Sequence, residues 1–322
     1  MCSELQWRPT APFSHLHLRA RLIRRIRDYF AEQQVLEVET PILTAAGVTD
    51  PHIDSFMMPA QGAGNRTADL FLQTSPEYAM KRLLAAGSGP IYQIARVFRA
   101  GEAGRRHSPE FSLLEWYRPD FDHHTLMDEV EELLARLLSL EARAERITYC
   151  ELFRQYLDID PLQATIPELR HCAEINQISF QNTVTDRDVW LDLLFSHVIE
   201  PRLPGRRTRM VFVHDYPASQ AALARIDDRG LAARFELYLD GVELANGYHE
   251  LVDAEEQQRR FMQDNCRRRE SGKAEMPVDQ NLLRALESGL PDCAGVALGL
   301  DRLVMCAAGA DSLDQVISFA SL

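Results

Sequence analysis

The sequence predicts an α+β fold in which an antiparallel β-sheet is flanked by helices. Three observations predict it. Short alternating runs, Phe235–Leu239 and Val242–Leu244, flank Asp240-Gly241, a two-residue linker typical of a tight hairpin. Apolar residues recur every four positions at Leu18, Leu22, Ile26 and Phe30, the stripe of an amphipathic helix. The chain has 322 residues, 46 % hydrophobic and 26 % charged, so it can bury a sizeable core as an ordinary globular protein.

In chain order, residues 1–13 are polar and proline-containing and read as an unanchored lead-in. A helix follows from Ser14, its expected N-cap, with Arg19, Arg21, Arg24, Arg25 and Arg27 on its polar side. That side is either a solvated face or a docking patch for an acidic partner. Val35 to Pro41 alternates like a half-buried strand and ends at proline. Leu70–Leu72 is a short strand, and Thr74-Ser75-Pro76-Glu77 opens a helix: a serine cap, a proline and a glutamate in the first turn. Ile91–Arg99 and Glu110–Tyr117 read as strands joined by ten polar and small residues, a loop long enough to suggest function. Residues 125–139 form an amphipathic helix and 145–205 a mainly helical insertion. Met210–Val213 is a strand and 254–270 a charged helix. Gly295 to Met305 runs from strand into helix. One domain over 1–322 accounts for the pattern.

Composition excludes several classes. A formal net charge of −13 and a pI near 5.3 disfavour non-specific binding to nucleic acid or anionic membrane. Six cysteines lack C-x-x-C or metal-finger spacing and read as buried free thiols of a reducing compartment. No signal-type apolar region opens the chain, and no run approaches a membrane span, so a cytoplasmic chain without membrane contact is expected. P-loop, dinucleotide, zincin and nucleophile-elbow motifs are missing.

Period two places Phe111, Leu113, Glu115 and Tyr117 on one face of their strand. A carboxylate among apolar groups calls for a cation or donors. Glu236 and Glu243 flank the Asp-Gly turn, where paired carboxylates suit Mg2+ or a ligand ammonium. Arg99 ends a strand and Arg302 begins a helix, places suited to gripping phosphate or carboxylate. His123, His124, His214 and His249 read as packing or surface residues.

These pieces resemble the three signature motifs of class II aminoacyl-tRNA synthetases: Val35 to Pro41 after the basic helix, Phe98 through Tyr117, and Gly295 to Arg302. Thr74 to Glu77, Glu115-Trp116-Tyr117 and Glu243 to Gly247 are similar to the lysyl branch. Motif 1 starts near residue 14, leaving no room for the anticodon-reading OB domain. Together with Ala297, where lysyl-tRNA synthetases carry glycine, this resembles the elongation factor P–(R)-β-lysine ligases. The resemblance implies an AMP-forming, homodimeric enzyme using ATP and Mg2+. It would activate (R)-β-lysine and pass it to a lysine of elongation factor P, without anticodon-dependent tRNA binding. The alternative is a lysyl-type activating enzyme with another acceptor, tRNA or a small amine.

The roles it implies are residue-specific. Arg99, Glu243 and Arg302 would be catalytic. Ser75, Pro76, Glu77, Glu115, Tyr117, Asn246, Tyr248, Glu250 and Ala297 would bind the amino acid. Arg99, Ala100, Gly101, Glu102, His107, Ser108, Phe111, Glu243, Leu244, Gly299 and Arg302 would bind ATP, with Phe111 stacked on adenine. Glu236 and Glu243 would hold Mg2+. Two positions depart from the family. Gly101 stands where a glutamate usually meets adenine, so either the loop shifts or Glu102 takes that role poorly. Ser108 replaces an asparagine.

Overall fold

A computed structural model describes residues 7–60, 68–140, 143–178, 185–205 and 210–320. Cys2, the first six residues of the expected lead-in and a few residues of the expected insertion lie outside them. An eight-stranded sheet forms the centre: β1 (Leu36–Glu37), β5 (Ile91–Phe98), β6 (Glu110–Pro119), β11 (Cys293–Gly299), β10 (Val242–His249), β9 (Leu231–Leu239), β8 (Met210–Pro217) and β7 (Glu145–Thr148), in that spatial order. A smaller sheet joins β2 (Leu43–Thr44), β4 (Leu70–Leu72) and β3 (Met57–Met58).

The expected antiparallel sheet holds through its six central strands. Both edge pairings, β1 with β5 and β7 with β8, are parallel, so the sheet is mixed. The strand expected over 35–41 contracts to two paired residues, and the first four residues of the expected helical insertion pair as β7. Asp240 and Gly241 both take positive φ, 50° and 74°, as a two-residue hairpin turn of matching twist requires.

Alternation along the strands divides the sheet into two faces. Leu114 and Trp116 of β6, Val296 and Leu298 of β11, and Phe235 and Leu237 of β9 face one way. They pack under α1 (Phe13–Glu32), α3 (His123–Leu138) and α9 (Leu300–Ala308) in the largest core cluster. The other face is covered at one end by α4 (Tyr149–Leu157), α5 (Ile166–Ile175) and α6 (Arg187–Leu194), which enclose Val211, Val213 and Tyr238. At its other end α2 (Glu77–Ala85), α8 (Gln280–Gly289) and Phe261 of α7 (Ala254–Glu270) enclose Ile91, Tyr117 and Cys293. Between these two clusters the sheet face is open, and there the cavity lies.

Three expectations about the N-terminal region change. Helix α1 is capped by Pro12 and begins at Phe13, not after Ser14. Its lead-in is anchored: Thr10 donates its hydroxyl to the Ile317 carbonyl at 2.9 Å, and Ala11 is buried. The arginine face is largely spent inside the molecule. Arg19 pairs with buried Asp301, Arg25 donates to the carbonyls of Arg136 and Leu137, and Arg27 pairs with Glu37 at 3.0 Å. Among the five, Arg21 and Arg24 are left to solvent. A docking patch over the whole face is therefore withdrawn. Of the described cysteines Cys266 is exposed, against the expectation of burial.

Asp301 ties three elements together. It also accepts the Ser112 backbone N–H at 2.7 Å, while Arg19 donates to the Ser112 hydroxyl at 2.9 Å. Asp301→Ala leaves a buried N–H and a mostly buried guanidinium unpaired. We expect it to lower stability by about 3–5 kcal/mol in urea titration; a loss below about 1 kcal/mol would show that water replaces the carboxylate.

Candidate active site

The open sheet face carries two rows of side chains set by strand register. One row runs Gln93, Glu115, Ala297, Asn246, Glu236 across β5, β6, β11, β10 and β9. The adjacent row runs Ile91, Tyr117, Gly295, Tyr248, Arg234. The central strand contributes only small residues, Gly295 and Ala297, so space opens above it. A cavity of about 1100 Å³ fills this space and reaches α2, α6, α7 and the 99–111 loop. A side chain at Gly295 would collide with the Tyr117 ring and stand 2.6 Å from Glu250 Oε1. Gly295→Ala is therefore expected to cost about 1–3 kcal/mol of stability and to raise the amino-acid KM. An unchanged KM would show that Tyr117 and Glu250 yield freely.

One bulge decides what β10 presents. Pairing shifts between Glu243 and Ala245, so Glu243 opposes Tyr238 and Asn246 opposes Glu236. Leu244 and Ala245 both pack into the core behind the sheet, although they also touch the cavity, while Glu243 and Asn246, three residues apart, share the cavity side. Strict alternation would have put them on opposite faces.

At the closed end, α2 brings Glu77 and Lys81 over the floor. Lys81 is 1 % exposed and lies 2.7 Å from Glu77 Oε1 and 2.6 Å from Glu250 Oε2. Glu115 accepts the hydroxyls of Ser75 at 2.7 Å and Tyr117 at 2.9 Å. Burial raises the Lys81 cost of ionisation, but Glu250 and Glu77 outweigh it and hold Lys81 charged. Burial, reinforced by Glu77, pushes the Glu115 carboxyl up to about 8. Burial also raises Glu250, against the pull of Lys81. Lys81 thus pairs with two carboxyl groups while Glu115 lies beside them, and a ligand ammonium entering there would favour the charged forms of Glu115 and Glu250.

At the open end two arginines dominate. Arg99 lies over the Phe111 ring at 5.1 Å, donates to the Thr74 carbonyl at 3.3 Å and stands 3.6 Å from Glu102. Arg302 donates to the Glu243 carbonyl at 2.8 Å, faces the Glu243 carboxylate at 3.3 Å and meets His107 Nε2 at 2.8 Å. Burial and the Arg302 charge both lower the His107 pKa, so His107 is a neutral acceptor for Arg302. Gly101 has φ +81°, a conformation that glycine accepts without strain, and the turn there delivers Glu102 to the cavity wall.

Most residues singled out in the sequence converge on this cavity: Ser75, Pro76, Glu77, Arg99, Glu102, His107, Ser108, Phe111, Glu115, Tyr117, Glu243, Leu244, Asn246, Tyr248, Glu250, Ala297, Gly299 and Arg302 all line it. Three do not. Ala100 spends its N–H on the Asp54 carbonyl, and Gly101 forms the turn. Glu236 lies outside the lining because Arg234, Tyr216 and Tyr238 all donate to it. The register pairs Glu236 with Asn246 and Glu243 with Tyr238, so the two carboxylates are not directly opposite, although both act on Arg234 and Tyr238. Sequence reasoning missed Lys81 and Arg234. The latter is enclosed beside the cavity, donates to Asn246 Oδ1 at 3.2 Å and links it to Glu236. A lysine four residues after a first-turn glutamate was the available signal for Lys81.

Residues 4–322 match the family model for class II tRNA synthetases (D, K and N), so the sheet, its small central strand and the cavity are those of a class II synthetase domain. The Elongation factor P--(R)-beta-lysine ligase of Yersinia enterocolitica is 50 % identical over 99 % of this chain and 98 % of its own length. Proteins of the same name from Salmonella dublin and Salmonella paratyphi B are 49 % identical over the same shares. The chain belongs to this ligase family within the class II synthetases. Among the described residues no helix is long and apolar enough to cross a membrane.

Proposed function

We propose that the chain uses ATP to activate (R)-β-lysine as its adenylate and transfers the acyl group to a lysine side chain of elongation factor P. The observation that carries this reading is the acidic closed end, where Glu77, Glu115 and Glu250 gather around Lys81, set opposite Arg99 on the same cavity. A diamino acid offers two ammonium groups and one carboxylate, and this arrangement complements both.

Glu77, Glu115 and Glu250 bind the ammonium groups, with Ser75 and Tyr117 orienting Glu115. Asn246, steadied by Arg234, meets the carboxylate end, and Ala297 shapes the floor between Asn246 and Glu115. A substrate carboxylate oxygen attacks the α-phosphorus, and the bond from phosphorus to the bridging oxygen breaks as pyrophosphate leaves. Arg99 neutralises the charge gathering on the α-phosphate, and Arg302, oriented by His107, holds the phosphate tail. In the second step the free-base amine of the acceptor lysine attacks the acyl carbon, the acyl C–O bond to phosphate breaks as AMP leaves, and the nitrogen gives up one proton to the departing phosphate or to solvent. No protein nucleophile is needed. Glu243, 41 % exposed at its side chain, fits a Mg2+ ligand; Glu236 fits only if Arg234 releases it. Bound Mg2+ would supply charge neutralisation of the phosphates.

In this reading the enzyme is a cytoplasmic homodimer that binds no tRNA through an anticodon. Exposed Leu36, Ile42, Leu43 and Met57 around β1–β3 support pairing through the motif 1 region.

The test is ATP–pyrophosphate exchange with (R)-β-, (S)-β-, L-α- and D-α-lysine, followed by intact-mass analysis of purified elongation factor P. We expect (R)-β-lysine to be preferred and the acceptor to gain one lysyl mass. Preference for L-α-lysine together with lysyl-tRNA formation would overturn the reading.

A further inference from the structure

Behind the sheet, on the face opposite the cavity, the first turn of α3 meets a second bulge. Pairing of β8 with β9 shifts between His214 and Tyr216, and the extra residue, Asp215, takes φ +58°. A non-glycine residue in that region costs energy and marks a side chain that the bulge re-aims. Asp215 is 4 % exposed and turns toward imidazoles. Its Oδ1 lies 3.5 Å from His123 Nε2 and 3.4 Å from His214 Nδ1, while Oδ2 is held by Arg229 at 2.9 Å.

Those two distances are long for hydrogen bonds, which fall at about 2.7–3.2 Å. They match another geometry. Two ligand atoms at about 2.0–2.1 Å from one zinc ion, at the tetrahedral angle, stand about 3.3–3.4 Å apart. His123 is 7 % exposed, and its Nδ1 is buried with no hydrogen-bond partner, while its Nε2 and His214 Nδ1 make only the long contacts to Asp215. Buried polar atoms left so are uncommon and point to a missing partner. The ligand atoms of His123, His124 and Asp215 all lie within 4.8 Å of one another. His124 is exposed and provides the way in.

We propose that His123, His124 and Asp215 form a transition-metal site of the zinc class. An imidazole-rich set with one carboxylate suits Zn2+ and its neighbours, and not Mg2+. Bound there, the ion fastens the start of α3 to the β8 bulge. Arg229 stays on the second oxygen of Asp215, where it orients the carboxylate as an outer partner. The site is structural, since the sheet separates it from the cavity.

The test is equilibrium dialysis of untagged, chelator-stripped protein against Zn2+ alone, with bound metal quantified, on the wild type and on His123→Ala, Asp215→Asn and Glu243→Gln. We expect one Zn2+ per chain that Glu243→Gln retains. Its Kd should rise at least about 100-fold in His123→Ala and in Asp215→Asn. Co2+ in its place should give an intense tetrahedral visible spectrum, lost in Asp215→Asn. Thermal unfolding of the wild type should move upward on adding Zn2+ and that of Asp215→Asn should not. Pyrophosphate exchange should be unchanged in both site variants. Asp215→Asn preserves side-chain size and keeps the test interpretable if His123→Ala fails to fold. No stoichiometric Zn2+ uptake, binding undiminished in folded Asp215→Asn, or binding lost in Glu243→Gln would each overturn the proposal.

Discussion

Arg99→Ala is expected to cut ATP–pyrophosphate exchange on the order of 10³-fold while leaving the fold intact, because it removes a preorganised cation from the place where charge develops. The side chain reaches the cavity from the end of β5, held over Phe111 at 5.1 Å and by the Thr74 carbonyl at 3.3 Å. Among the described residues no other arginine occupies that spot, since Arg302 is committed to Glu243 and His107. Arg99→Lys should restore little: an ammonium keeps the charge but loses the fork that meets carboxylate and phosphate together. Exchange within about threefold of wild type in a folded Arg99→Ala protein would remove Arg99 from the chemical step.

Glu115→Gln is expected to weaken diamino-acid binding by roughly 100-fold and, in the same protein, to stabilise the ligand-free fold at pH 8. Both effects come from one burial. In the folded chain the Glu115 carboxyl titrates near 8 instead of 4.5, chiefly because burial penalises its charge. Between those values the folded chain holds a proton that the unfolded chain has lost. The Glu115 contribution therefore makes stability fall as pH rises from about 4.5 to about 8. Glutamine keeps the shape and has no charge to desolvate, so the variant's stability should fall less steeply with pH. Binding carries the opposite pH sign. A ligand ammonium pulls the carboxyl pKa back down, so binding releases a proton, and affinity should rise between pH 6.5 and 8 by less than about tenfold per unit. Calorimetry in buffers of different ionisation enthalpy reads the proton, and urea titration at pH 6 and 8 reads the stability. A variant that binds normally, or whose stability changes with pH as the wild type's does, would contradict this account.

Elements with strong local signals were legible from residues alone. Asp240-Gly241 announces its turn because few residues tolerate positive φ twice in succession. Ser75-Pro76-Glu77 announces the start of α2, although Pro76 holds the cap position and Ser75 caps from one residue upstream, taking the Glu77 N–H at 3.0 Å. Most cavity residues were also legible, since period two on β6 and the motif resemblance both point at Glu115 and Tyr117. Lys81 was not. A lysine in a helix ordinarily faces water, and nothing local says that α2 lies on the sheet with its ammonium between two glutamates. Nor were the parallel edges, because β1 pairs β5 and β7 pairs β8 over separations that local patterning does not encode.

Local patterning carried the α+β class, the hairpin scaffold, the start of α2 and the inventory of charged groups in the site. These depend on dihedral preference and periodicity, which act over a few residues. Tertiary structure alone decided which charges are spent and which remain. It committed Arg19 to Asp301 and Glu236 to Arg234, placed Lys81 beside Glu250, and used a bulge to turn Glu243 and Asn246 to one face. The physical reason is that desolvation and pairing depend on what packs against a group, and those neighbours come from far along the chain.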